Sequence, residues 1–328
     1  MNRRRTCAAA AAVLVALSLS ACNRGESAAP TAAGGEGEGG CSGASLGLAV
    51  ANLNANFFNQ IKQSVEAAAQ EAGATVQVSD AGGDSATQVN QIQDFITRSV
   101  KAIIYIPAGA TAASVPVKAA ERANIPVVNV DRNAADAPGK TFIASDSVAA
   151  AKTLGDWVVQ QRNGQGNVAI IQGQIGTTPQ VDRQKGFEEA LQAAPGMQVV
   201  AQQTSDWDPD KSFRVAQDMI QANPNINVFF GQSDQIAQGA ARAVAGANLN
   251  PKPLVVGFDG DPAGLQDVKD GKLDATMVQQ TQLMGRLAVE SACDIIAGEQ
   301  VPPMQLQEAF LVTTDDTQKL DEYIANHP

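Results

Sequence analysis

Asp131 and Arg132 end the apolar run in VVNVDRNA, residues 127–134, where β-branched residues lead straight into an acid and a base. Charges are costly to bury unless they are paired or hydrogen-bonded, so a strand that ends on two of them ends where polar groups have partners. The pattern recurs along the chain. Asn52, Asn54 and Phe57–Phe58 follow the first apolar run, Ser233–Asp234 follow NVFFG, Asp259 follows PLVVGF and Gln279 follows DATMV. Carboxylates accept hydrogen bonds, guanidiniums donate them and amides do both, so these groups are equipped for non-covalent recognition. Catalysis is poorly provided for. The single histidine is His327, which leaves no base for a Ser-His-Asp or Cys-His arrangement and no histidine metal site. A carboxylate pair such as Asp131 and Asp259 could in principle hydrolyse glycosides, but one acid would then need a raised pKa.

Two further stretches imitate ligand sites. DGDPAGLQDVKD, residues 259–270, has acids at calcium-loop offsets, but Pro262 and Ala263 interrupt them and the terminal bidentate Glu is missing. It reads as a strand end followed by a helix start. QGQIGTTPQ, residues 172–180, contains glycines without the Gly-Lys-Ser/Thr of a phosphate loop. Neither a metal nor a cofactor is expected.

The elements that must carry these residues alternate. Apolar runs at 46–51, 74–79, 102–106 and 125–130 are separated by helical spacing over Phe57 to Glu71, Ser85 to Arg98 and Thr111 to Ala123. A second series follows at 167–173, 197–202, 227–231 and 253–258. Then come a strand over 274–280, a helix from Met284 to Ala297 and a final apolar segment, LQEAFLV, readable as a strand or a crossing. TFIASDS, residues 141–147, lies at the changeover and predicts a crossing between lobes. Repeated βα units imply parallel sheets covered by helices, here in two similar α/β lobes. Ligands bind beyond the carboxyl ends of such strands, which is where the polar and aromatic residues gather.

The amino-terminal region predicts export. Arg3, Arg4 and Arg5 precede AAAAAVLVALSLSA, an apolar run too short for a comfortable membrane span. It ends in Leu19-Ser20-Ala21-Cys22, which resembles a bacterial lipobox with Cys22 as the lipidated residue, a reading preferred to the ordinary signal peptide with a nearby cleavage site. NRGESAAPTAAGGEGEGG then has the composition of a flexible tether. The 328 residues carry a formal net charge of -11, which disfavours a nucleic-acid partner, and 44% are hydrophobic, enough for more than one domain core. Cys7 would leave with the signal and Cys22 would carry lipid. Cys41 and Cys293 then remain, either bonded, as export favours, or free and buried.

Taken in order, LNANFF (53–58), ANIPVVNVDR (123–132), FIASD (142–146), RQKGF (183–187), VVGFDG (255–260) and DGKLDAT (270–276) resemble the ribose-binding proteins and related sugar receptors of ABC importers. The resemblance runs from about Leu46 to Asp316. It implies a type I periplasmic binding protein fold of two Rossmann-like lobes joined by a three-strand hinge, with boundaries at 1–21 for the signal and 22–42 for the linker. The amino-terminal lobe would comprise 43–145 and 280–308, and the carboxy-terminal lobe 146–279 and 309–328.

It also implies that Phe57, Phe58 and Trp207 flank a sugar ring while Asp131, Arg132, Arg183, Asp259 and Gln279 hold its hydroxyls. Ser233 falls where ribose binders have Asn. Ala55 and Ile106 stand where they place further asparagines, so a deoxy sugar, another configuration or a linear polyol suits the cleft better than ribose. Bland readings exist for several of these residues. Asp131–Arg132 could be a surface ion pair, Phe57–Phe58 a helix turn packed on its sheet, and Arg183 a helix-surface residue. Gln279 could be exchanged with Gln280.

The expected partners are a monosaccharide or polyol, the permease and ATPase of an importer, and a membrane reached through the lipid anchor. The chain is expected to be monomeric. A sensory receptor is the alternative, since it would use the same closed form. An effector domain of a lactose-repressor-type regulator would need a helix-turn-helix where this chain has a signal and a tether.

Overall fold

The computed structural model describes residues 40–134, 136–316, 320 and 322. The expected signal, Cys7, the lipidation site Cys22, nearly all of the tether and His327 lie outside them.

Two six-stranded sheets organise the described chain. The first is built from β1 (Ser45–Val50), β2 (Thr75–Asp80), β3 (Ala102–Tyr105), β4 (Val127–Val130), β5 (Thr141–Ser145) and β11 (Met304–Gln307), in the order β11-β5-β4-β3-β1-β2 with every pairing parallel. The second uses β6 (Gln165–Gln172), β7 (Gly196–Thr204), β8 (Val228–Gly231), β9 (Leu254–Val256), β10 (Ala275–Val278) and β12 (Phe310–Thr313), in the order β12-β10-β9-β8-β6-β7. Only β12 runs antiparallel, against β10. Helices cover both faces of each sheet, which is why β3 and β4 are buried at every residue. Each sheet therefore has two cores, one per face.

The helices are α1 (Asn56–Glu71), α2 (Ser85–Thr97), α3 (Ser114–Arg122), α4 (Ser147–Gln161), α5 (Thr178–Gln192), α6 (Pro209–Ala222), α7 (Asp234–Ala247), α8 (Pro262–Lys269) and α9 (Thr281–Ala297). Several start on a side-chain cap that accepts a backbone N–H: Asp84 for α2, Asp146 for α4, Asp208 for α6, Ser233 for α7 and Asp261 for α8. Asp261 thus spends its carboxylate on Gly264 N, as expected of a helix start rather than a calcium loop.

Sequence and structure part at two places. The helix expected from Thr111 begins only at Ser114, because Ala112 adopts φ 60 and the chain turns there first. The segment LQEAFLV is two strands in different sheets, β11 and β12, with the chain passing between lobes around Glu308. That passage, together with those between β5 and α4 and between β10 and α9, makes three crossings. In both sheets the strand order reverses beside the first strand of its series, β1 or β6. The loops after the strands of both lobes therefore open onto one cleft.

At the opposite end of the first lobe, ahead of β1, Cys41 is joined to Cys293 of α9 across 252 residues of sequence. Closing so long a loop restricts the unfolded chain, an effect of about 2–5 kcal/mol. A Cys41→Ser, Cys293→Ser variant is expected to melt at a lower temperature than the oxidised protein. Its ligand affinity should be unchanged, because the bond lies away from the cleft. Equal melting temperatures with and without reductant would refute the stabilising role.

Candidate functional site

The loops after the strands bring residues from both lobes around one cavity. Ala55, Phe57, Phe58, Asp131 and Arg132 come from the first lobe; Pro179, Arg183, Trp207, Ser233, Gln235, Asp259 and Asp261 come from the second. Gln279 is not on this wall. It sits behind Asp259 and donates from Nε2 to Oδ1 at 2.8 Å, while Gln280 turns away to the carbonyl of Glu308.

Two buried arginines give the cavity its character. Arg132 lies 3.6 Å from Asp131 (Nε to Oδ2), and its Nη1 donates to the carbonyls of Pro107 and Ala108 at 3.1 and 3.0 Å. Its guanidinium lies 5.2 Å from the Phe58 ring centroid and 5.5 Å from that of Trp207, so it packs against an aromatic of each lobe. Arg183 is 2% exposed, which removes the helix-surface reading. Its Nη1 reaches Asp259 Oδ1 at 3.0 Å and the carbonyl of Gln232 at 2.5 Å, and its guanidinium lies 4.0 Å over Phe258. In both arginines Nε is buried without a hydrogen-bond partner.

The aromatic wall has its own local causes. Phe57 and Phe58 occupy the first turn of α1, their rings edge-to-face at 5.3 Å, and both belong to the core as well as to the cavity. Trp207 stands on a loop with φ 66, after Asp206 at φ 56. Gly173 lets the indole in: a Cβ there would lie 2.1 Å from the ring. Ser233 Oγ accepts from Ile236 N as the cap of α7 and keeps its own proton free to donate. Ile106 is fully buried in the core, and Ala55 lines the cavity.

Behind the wall stands Asp234, fully buried, accepting from Gly260 N at 2.8 Å, Asp261 N at 3.0 Å and Thr276 Oγ1 at 2.5 Å. It fixes the loop that presents Asp259 and Asp261. The sequence offered Asp234 as a strand-end residue without showing that its carboxylate faces another loop. Pro179, Gln235 and Asp261 were missed as wall residues: Gln235 and Asp261 follow closely on β8 and β9, the signal that marked their neighbours, whereas Pro179 stands in the first turn of α5, away from its strand end.

Asp131 and Asp259 thus lie beside the two guanidiniums, with Asp261 near them and Asp234 behind. Burial pushes Asp131 above the usual carboxylate range against the pull of Arg132 and Arg183. Burial raises Asp261 too, and Asp234 well above the range, helped there by Asp261 and Asp259. Asp259 is pushed up to about 7 by burial, against the opposing charge of Arg183. The folded protein therefore holds a proton on Asp259 at pH values between about 4 and 7, where the unfolded chain has lost it. Stability attributable to this group declines as pH rises across that window and levels off above it. Asp259→Asn is expected to reduce the fall in melting temperature between pH 5 and pH 8. An unchanged difference would show that Asp259 is ionised throughout. A raised acid alone does not make a hydrolase, since Asp259 is already bound by Arg183 and Gln279.

The family model of the periplasmic binding protein domain matches residues 46–300. The ribose import binding protein RbsB of Bacillus subtilis is 34% identical over 256 residues, covering 78% of this chain and 83% of that protein. The D-allose-binding periplasmic protein of Escherichia coli is 30% identical over 286 residues, covering 82% and 92%. Among solved structures, an ABC transporter solute-binding protein from Bacillus halodurans with bound myo-inositol superposes with a TM-score of 0.80 at 28% identity, covering 87% and 98%. With two parallel-sheet lobes around a shared cleft and this extent of similarity, the chain belongs to the periplasmic binding protein family, as a non-enzymatic, ribose-binding-protein-like member of the sugar-binding components of ABC transporters.

Proposed function

We propose that the protein is the solute-binding component of an ABC importer that captures a monosaccharide or polyol between its lobes and delivers it to a permease. The observation that carries this reading is the convergence, from both lobes, of paired but incompletely satisfied charges with aromatic faces. Arg132 and Arg183 each keep a buried Nε that makes no hydrogen bond, and Asp131 and Asp259 supply acceptors beside them. A hydroxyl both donates and accepts, so a polyol can use a carboxylate and a guanidinium at once. In this reading Phe57, Phe58 and Trp207 cover the ligand's C–H surface, Ser233 donates to it, and Gln279 acts by holding Asp259 in place. Relatives named for ribose and D-allose, and a solved neighbour holding myo-inositol, point to the same chemical class.

Export and anchoring complete the proposal. Cys22 carries the lipid, the tether expected over 22–42 ends before Cys41, which is buried and bonded to Cys293, and the body works as a monomer on the outer side of the cell membrane or in the periplasm. The lobes divide at 145/146, 279/280 and 308/309, so a ligand touching both favours the closed arrangement by its differential contacts.

A thermal-shift screen of sugars and polyols tests the reading, because a ligand at 100 times its Kd stabilises the folded state by about 2.7 kcal/mol. At least one monosaccharide or polyol is expected to raise the melting temperature by several degrees. Asp131→Ala should fold and lose that shift. If sugars and polyols leave the transition unmoved while amino acids raise it, the ligand class is wrong; an undiminished shift in Asp131→Ala removes that residue from the site.

A further inference from the structure

A buried guanidinium is only as well placed as the carbonyls that hold it, and both arginines of the cleft are held by carbonyls just beyond a strand. In the first lobe these belong to Pro107 and Ala108, which accept from Arg132 Nη1 at 3.1 and 3.0 Å. One amide fixes this piece of chain. Gln88 of α2 donates from Nε2 to the carbonyl of Ile106 at 2.8 Å and accepts at Oε1 from Ala108 N at 2.7 Å, so it brackets Pro107, which has no N–H of its own. Gln88 is 1% exposed and heads a buried stripe with Ile92 and Phe95, where helical spacing calls for an apolar side chain.

The second lobe repeats the device with Gln232, fully buried directly after β8. Its backbone carbonyl accepts from Arg183 Nη1 at 2.5 Å. Its side chain accepts from Gly173 N at 3.0 Å and donates to the carbonyl of Gln180 at 3.1 Å, so it ties the end of β6 to α5, the helix that carries Arg183. Gly173 is also where the Trp207 indole packs. Neither glutamine lines the cavity. A buried amide is costly unless its donor and its acceptor are both engaged, and in both residues they are. A carboxylate could not donate here and a thioether could not donate at all, so these two places need an amide.

We propose that Gln88 and Gln232 are positioning residues for ligand binding: each sets one guanidinium, Arg132 or Arg183, in the orientation that the ligand meets, without touching the ligand. This rests on the reading of the cleft as a sugar or polyol site and assigns the rigidity of that site to one glutamine in each lobe.

Gln88→Met and Gln232→Met keep the side-chain volume and remove the amide. The titrant is whichever sugar or polyol of the thermal-shift screen, D-ribose, D-allose, myo-inositol and xylitol among them, gives the largest shift. Calorimetric titration at a temperature where each variant is fully folded is expected to show a Kd at least about tenfold higher than in the parent protein. A residue that only supports the fold would lower the melting temperature and leave this Kd alone. Double-mutant cycles identify the route. Gln88→Met combined with Arg132→Lys should cost severalfold less than the product of the two separate losses, and combined with Arg183→Lys should match that product within about twofold. Gln232→Met should show the reverse pairing. A further measurement needs no ligand. In a Trp157→Phe background the emission of Trp207, whose ring lies 5.5 Å from the Arg132 guanidinium and 5.9 Å from that of Arg183, should change in both variants. If a Met variant does not fold, Gln88→Asn or Gln232→Asn, an amide too short to span both partners, takes its place with the same expectations. Unchanged Kd values, or equal coupling of each glutamine to both arginines, would overturn the inference and leave the polyol reading standing. Should no sugar or polyol bind the parent protein, the polyol reading falls; altered Trp207 emission would then still support the positioning role, and unaltered emission would remove it.

Discussion

Two guanidiniums held out of water between two lobes set the terms for the rest of this protein. Arg132 and Arg183 are 6% and 2% exposed, and a buried cation must be paired and hydrogen-bonded to be tolerated. Each solves the problem in the same three ways. An acid lies beside it, Asp131 or Asp259; its Nη1 donates to a backbone carbonyl of a neighbouring strand end; and an aromatic ring covers a face of the guanidinium. Those carbonyls, of Ala108 and Gln232, lie just past the last residues of β3 and β8. The arginines are therefore anchored where the parallel strands stop, and the cleft can only form there.

The compensation is deliberately incomplete on one side and excessive on the other. Nε of each arginine makes no hydrogen bond, while the acids outnumber the bases once Asp261 and Asp234 are counted. The loops that present these groups carry backbone strain of their own. Asp131, Asp206, Trp207 and Asp259 all have positive φ, a region that side-chain-bearing residues rarely adopt, and all four belong to loops at the cleft. Asp234 supplies the restraint by binding the amides of Gly260 and Asp261 together with Thr276. It demands space in return. A Cβ at Gly257 or Gly264 would approach its carboxylate oxygens to 2.3 or 2.1 Å, so the glycines of VVGFDG and DPAG follow from the acid beneath them.

These couplings explain what the sequence could and could not reveal. The alternation of strands and helices was legible because runs such as AIIY and VVNV are apolar throughout, as two-faced burial requires. Strand ends were legible for the same reason: Asp131 and Asp259 interrupt such runs abruptly. The late turn at Ala112 was not, since its left-handed backbone has no glycine to announce it. Nor was the division of LQEAFLV between two sheets, because alternating apolar residues look alike whichever sheet they join. Of the cleft itself, strand ends marked Phe57, Phe58, Asp131, Arg132, Ser233 and Asp259, whereas Arg183 and Trp207 were implied only by the family resemblance. The supports depend on tertiary neighbours: Gln279 stands behind Asp259, and Asp234 binds a loop 26 residues away in the chain.

Among the described residues, few direct hydrogen bonds and ring contacts join the facing lobes, and that has a mechanical consequence. Asn133 N donates to Thr178 Oγ1 at 3.0 Å, Gln174 packs on Gly109, and Arg132 lies against Trp207. A single hydrogen bond and a cation–π contact contribute on the order of 1 kcal/mol each, too little to hold a two-lobed chain firmly shut on their own. A ligand seated among Asp131, Arg132, Arg183 and Asp259 would add several charge-assisted hydrogen bonds that exist only when both lobes are present. Its differential affinity for that arrangement is what can shift the population toward closure. The weakness of the lobe-to-lobe contacts is thus a requirement of the design. Had the protein sealed its cleft with strong contacts of its own, ligand binding would have had nothing left to change.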